Sequence, residues 1–124
     1  MCIRDSVKNI ALEIKRSRAK VVYVCNIMTQ PGETRKYSAA DHLEAISKHV
    51  GINIVDYVIV NSRPIPKELI NKYRKKLSAP VKIDETRISK LGVKVVKADV
   101  FSVEKGLVRH DPEKLAKAII RLTA

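Results

Sequence analysis

The chain has 124 residues, 45% of them hydrophobic, and a mean hydropathy of −0.14. That is enough apolar material for one packed core but too short for two independent ones, and the composition excludes disorder. Twenty-five Lys and Arg against thirteen Asp and Glu give a net charge of +12, which favours an anionic partner without naming it. No apolar run approaches the roughly 18 residues of a membrane span, and five aromatics are too few for a single-strand-binding platform.

Apolar residues at Val7, Ile10, Ala11 and Ile14 predict a helix over 7–18, with Lys15, Arg16 and Arg18 suited to its carboxyl end. The run Lys20–Ile27 is β-branched and aromatic, apolar on both faces, and predicts a buried parallel strand. A polar loop follows, Thr29 to Thr34 around Pro31-Gly32. Ser38 with Asp41 three residues on reads as a capping box, opening a helix on Leu43, Ile46 and Val50 that Gly51 stops. Ile54–Val60 predicts a second buried strand. Pro66 suits the first turn of a helix with the stripe Leu69, Ile70, Tyr73 and Leu77.

A short strand at Val81–Ile83, a turn of helix over Glu85–Leu91 and a strand at Val93–Val96 come next. Phe101–Val103 and Leu107–Val108 form a hairpin with Gly106 free to take a positive φ. Asp111 and Pro112 stand as N-cap and first residue of a last helix, with Leu115, Ile119 and Leu122 as its buried stripe. Strands alternating with helices imply an α/β, Rossmann-like parallel sheet with flanking helices, plus one hairpin near the end.

In such sheets ligands bind beyond the carboxyl ends of the strands. Three strand exits carry polar chemistry. The first offers Asn26, Thr29 and Gln30 beside a Pro-Gly turn, either as ligand contacts or as groups that satisfy the turn's own backbone. The second is Asn61-Ser62-Arg63, where Asn61 is a ligand contact or a turn residue and Arg63 an anion contact or a surface charge. The third is Val108-Arg109-His110-Asp111, which leads to a helix start. Free N–H groups there favour an anion and Arg109 adds a bidentate fork; alternatively Asp111 is a cap and His110 is packed.

His42 and His49, seven residues apart, do not match the one-turn spacing of a helical metal pair and read as core or surface residues. Cys25, inside an apolar strand, reads as a buried thiol. Cys2 and Cys25 make no CxxC pair or disulfide framework, as fits a reducing cytoplasm. The cations scatter along the chain, so nucleic-acid binding rests on charge alone.

The stretch Val22-Tyr-Val-Cys-Asn-Ile-Met-Thr-Gln-Pro-Gly-Glu-Thr34, followed by Tyr37-Ser-Ala-Ala-Asp-His42, resembles the signature of the gluconeogenesis-factor family, the YvcK branch of the CofD-like superfamily. Asp56–Asn61 and Val108–Asp111 are similar to later blocks in the same order. The resemblance implies that residues 7–124 are the C-terminal part of a larger CofD-like domain, whose N-terminal half, bearing a glycine-rich phosphate loop, would be a packing partner; 1–6 match nothing and read as an artefactual leader. It implies a cytoplasmic regulator of carbon metabolism and cell shape that binds a UDP-sugar such as UDP-N-acetylglucosamine, with no cofactor, no catalytic or metal-ligating residue, and self-association left open. It places Asn26, Thr29, Gln30, Tyr73, Arg109 and His110 at the ligand. The sequence departs from the family pattern at Arg35-Lys36 and at Pro112. The alternative it carries is a transferase of 2-phospho-L-lactate onto a deazaflavin.

Overall fold

The structure is a computed structural model and describes residues 12–17, 19–31, 37–50 and 53–123. The expected leader 1–6, the first part of the helix predicted over 7–18, the Gly32–Lys36 stretch of the polar loop and the helix stop at Gly51 lie outside the described residues; 12–16 are helical.

Three strands form a parallel sheet in chain order: β1 (Val22–Val24), β2 (Tyr57–Asn61) and β3 (Lys94–Ala98). Helix α1 (Ala39–Val50) joins β1 to β2, and α2 (Lys67–Arg74) and α3 (Glu85–Lys90) lie between β2 and β3. The hairpin of β4 (Phe101–Glu104) and β5 (Leu107–His110) is a separate two-stranded sheet, and α4 (Pro112–Thr123) follows it.

Side chains alternate across the pleat, and this decides where the core sits. From β2, Val58 and Val60 face one side, packed with Ala39, Ala40 and Leu43 of α1 and Ile88 of α3. Ile59 faces the other side, against Val100 and Ala118. The central strand is therefore covered on both faces, as a continuous Val-Ile-Val run requires.

The strand predicted over Lys20–Ile27 serves two partners rather than one. Its first part is β1, and Cys25 still donates to the Ile59 carbonyl. The chain then leaves the sheet: Val81 donates to the Ile27 carbonyl and Thr29 to that of Ala79, around an isolated Met28–Pro80 bridge. No strand forms at Val81–Ile83; the pairing with the 27–29 segment ends at the Val81 to Ile27 bond. Strand β2 begins at Tyr57 rather than Ile54; Asp56 instead uses its carboxylate to accept from Val21 N–H at 2.8 Å, bridging the strand entries.

The stripe of α4 also differs from expectation. Leu115, Ala118 and Leu122 meet the sheet, and Ile119, one residue further round than Ala118, is 37% exposed. Helix α2 ends before the predicted Leu77. Ser78 N–H donates to the Tyr73 carbonyl and Leu77 N–H to that of Arg74, a Schellman closure with Leu77 at φ 59° where glycine is usual. In the hairpin turn, Lys105 and Gly106 take φ 52° and 73°, the two positive values that a two-residue type I′ turn needs.

The predicted capping box is formed. Asp41 Oδ2 accepts from Ser38 N–H at 2.9 Å, and Ser38 Oγ accepts from Asp41 N–H at 3.2 Å. It extends into a network that joins α1 to α3. Ser38 Oγ donates to Asp84 Oδ2 at 2.7 Å, Ala40 N–H donates to Asp84 Oδ1, and Arg87 bridges Asp84, Asp41 and Glu44.

The Ser38 N–H holds the Asp41 carboxyl below the usual carboxylate range. Burial pushes Asp84 up, but the Ser38 hydroxyl, the Ala40 N–H and Arg87 outweigh it, so Asp84 is lowered as well. Among the described residues no helix is long and apolar enough to cross a membrane.

Two folded-state pKa values below the unfolded value mean stability that is complete above the unfolded carboxylate range near pH 4 and lost as pH falls through the folded values. Asp41→Ala is expected to cost about 0.5–2 kcal/mol at pH 7. In urea denaturation the cost shrinks as pH falls below about 4 and the folded-state Asp41 carboxylate takes up its proton; a cost independent of pH would contradict the role given to the carboxylate.

Candidate functional site

Two clefts open at the carboxyl ends of the parallel strands, on either side of the Asn26-Ile27 backbone. The first, about 310 Å³, is lined by residues 26–31 after β1, by Tyr73, Lys76 and Ser78 at the end of α2, and by Val108, Arg109 and His110 of β5. The second, about 240 Å³, lies between the exits of β1 and β2.

The hairpin shares no ladder with the parallel sheet, so side chains hold it against the cleft. Val108 N–H donates to the Tyr73 hydroxyl at 2.8 Å, and Lys72 Nζ donates to the Gly106 carbonyl at 3.2 Å. His110 Nε2 lies 3.1 Å from the Cys25 carbonyl oxygen. A carbonyl only accepts, so Nε2 is the donor in this contact. These three contacts fix the height of Arg109 above the end of β1.

Six of the seven residues expected at the site line the first cleft: Asn26, Thr29, Gln30, Tyr73, Arg109 and His110. Thr29 is buried and committed to the fold. Its Oγ1 accepts from Ala79 N–H at 3.0 Å, its N–H donates to the Ala79 carbonyl, and its carbonyl accepts from the Ser78 hydroxyl. Tyr73 lines the cleft, and its hydroxyl braces β5.

Asn61 lies in the second cleft, apart from the other six. Its side chain closes its own turn, with Nδ2 donating to the Arg63 carbonyl at 2.8 Å and Oδ1 accepting from Arg63 N–H at 3.3 Å. Arg63 is drawn over the Phe101 ring, 4.8 Å from its centroid.

The start of α4 differs from an open anion site. Asp111 Oδ1 accepts from the Glu113 and Lys114 N–H groups at 3.0 and 3.2 Å, so the protein's own carboxylate occupies that end as the N-cap. Charge complementarity in the cleft falls to Arg109 and to Lys76, which the sequence reading did not single out. Neither has a carboxylate within ion-pair distance among the described residues. The signal available was the unusual density of cations at 72–76 beside Tyr73.

Burial pushes the Cys25 thiol up to about 12, with the Asp84 charge adding to it, and the thiol is buried. His42 is buried against the Tyr37 ring, its Nε2 has no hydrogen-bond partner, and burial lowers its pKa. Among the described residues no three His, Cys, Asp or Glu come together as a metal site.

The family model of 2-phospho-L-lactate transferase CofD matches residues 6–101. The chain belongs to the CofD family. That match ends at Phe101, before Arg109 and His110, but the likeness to individual relatives runs further.

A gluconeogenesis factor of Bacillus subtilis is 38% identical over 116 residues, covering 94% of this chain and 37% of its own length. One from Halalkalibacterium halodurans is 43% identical over 115 residues, covering 92% and 35%. A crystal structure of a UPF0052-family protein from Bacillus halodurans superposes with a TM-score of 0.85 at 40% identity, over 90% of this chain and 36% of that one. The chain thus spans a little over a third of the length of these relatives.

Two substitutions test how the cleft is held. Tyr73→Phe leaves the Val108 N–H without its acceptor and is expected to cost about 1–2 kcal/mol in urea denaturation; an unchanged midpoint would show that the hydroxyl does not hold the hairpin. Leu77→Gly relieves a left-handed residue that is 54% exposed. A gain of about 0.5–1 kcal/mol is expected, the left-handed penalty less the added entropy of the unfolded chain, and a loss would contradict it.

Proposed function

We propose that the first cleft binds a nucleotide-sugar of the UDP-N-acetylglucosamine type, and that this binding is the sensing event of a cytoplasmic gluconeogenesis factor acting on carbon metabolism and cell shape. The reading rests above all on Arg109 and Lys76, two cations from different elements, set in one cleft without a carboxylate partner. A diphosphate supplies the missing negative charge, and the planar guanidinium suits two of its oxygens at once.

Asn26 and Gln30 supply donors and acceptors of the kind sugar hydroxyls need. The relatives named gluconeogenesis factor support the regulatory role. His110, with Nε2 directed at the Cys25 carbonyl, acts as an anchor of the cleft wall rather than as a proton carrier at that nitrogen.

In calorimetric titration with UDP-N-acetylglucosamine, Arg109→Ala is expected to weaken binding by about 10- to 100-fold, the worth of a charge-assisted hydrogen bond of roughly 1.5–3 kcal/mol. Equal affinity for the two chains would remove Arg109 from the site.

The family description favours a second reading, transfer of 2-phospho-L-lactate to a deazaflavin. Turnover on incubation with a deazaflavin and an activated phospholactate donor would place that chemistry first.

A further inference from the structure

The second cleft is a separate space with a different chemistry. Ile70 of α2 and Val81 and Ile83 of the segment before α3 are among its lining residues, and Asn26, Asn61 and Arg63 supply polar groups. Its lining includes no carboxylate and no lysine. Its volume of about 240 Å³ is below the ~300–1,000 Å³ of sites that take a whole ligand of drug size, so it suits one part of a ligand, a single ring. Asn26 and Ile27 line both clefts, so a molecule lying across Asn26 reaches each of them.

We infer that the second cleft is the nucleobase subsite, taking a pyrimidine ring between its aliphatic walls while the diphosphate lies in the first cleft. This rests on the nucleotide-sugar reading of the first cleft and adds where the base goes. The choice of base over sugar follows from where each ring carries its polar atoms. A pyranose carries hydroxyls around its whole circumference, and aliphatic walls would leave most of them unpaired. A pyrimidine has two apolar faces and confines its donors and acceptors to its edge, where one amide can meet a donor–acceptor pair.

Asn26 presents an oxygen acceptor and an NH₂ donor on one side chain, the complement of an imide edge. The Asn61 amide, engaged in its turn with Arg63, and the Arg63 guanidinium over Phe101 give the rim a fixed shape before ligand arrives.

The test is calorimetric titration of the chain with UDP and with inorganic pyrophosphate. The unaltered chain is expected to prefer UDP by about tenfold or more, the scale on which an apolar pocket discriminates. Ile70→Trp, which fills the second cleft, is expected to bring UDP down to the affinity of pyrophosphate while pyrophosphate binding stays as it was.

Pyrophosphate binding with no preference for UDP, or an Ile70→Trp chain that keeps the preference, overturns the nucleobase subsite alone. A chain that binds neither probe overturns the diphosphate reading with it. If Ile70→Trp also loses pyrophosphate, Val81→Phe is titrated in the same way: loss of the UDP preference is expected, and its retention overturns the inference.

Discussion

The cleft exists because a hairpin that shares no ladder with the main sheet is pinned to it by side chains. The parallel sheet alone ends in three exits facing solvent. The Tyr73 hydroxyl under Val108 and the His110 ring against the Cys25 carbonyl bring β5 over the first of them. Both bonds engage backbone groups, so they set position along the hairpin as well as distance. Arg109 lies between the two anchored residues and has no freedom to leave the cleft except by side-chain rotation. Tyr73 in turn depends on the closure of α2, where Leu77 adopts a left-handed backbone to bring Ser78 back under the helix and on to Thr29.

The net charge of +12 has a structural distribution that narrows its meaning. Arg87, Lys97 and Lys114 are spent on pairs with Asp41, Asp84, Glu44, Glu85 and Asp99 that tie helices to one another or to strand ends. The acidic residues of these pairs sit at structural junctions, whereas Arg109 and Lys76 in the first cleft have no carboxylate partner among the described residues. A cleft facing Arg109 and Lys76 attracts a compact anion through a local field, and that does not require one continuous basic groove.

Much of this was legible in the sequence. The order of elements, the capping box at Ser38 and Asp41, the hairpin turn at Gly106 and the N-cap at Asp111 are local chemistry, and local chemistry reads directly. The failures have a common cause, which is competition between partners. Lys20–Ile27 looks like one strand because β-branched residues suit either neighbour, and only the tertiary fold divides it between β2 and the Ala79–Val81 segment. Ile119 and Leu77 fit helical spacing, yet one residue of rotation and one left-handed turn put them outside.

At the site, the strand-exit rule located the cleft, but residue type could not distinguish Thr29, spent on Ala79 and Ser78, from Asn26. Asn61 illustrates the same limit, since an Asx turn and a ligand contact use the same amide. Lys76 was missed because the run of cations at 72–76 marks a basic segment but not which of its members faces the cleft.

The most direct test of the pinned-hairpin cleft as the binding site is a two-dimensional amide NMR titration of the labelled chain with UDP-N-acetylglucosamine. The account predicts saturable shifts at 26–30, 73–78 and 108–110, joined by those at 61–65, 70 and 81–83 where the base enters the second cleft, all appearing together as one site. Shifts centred instead on the opposite end of the sheet, around Lys15 to Val21 and Asp56, or no shifts at all, would contradict it.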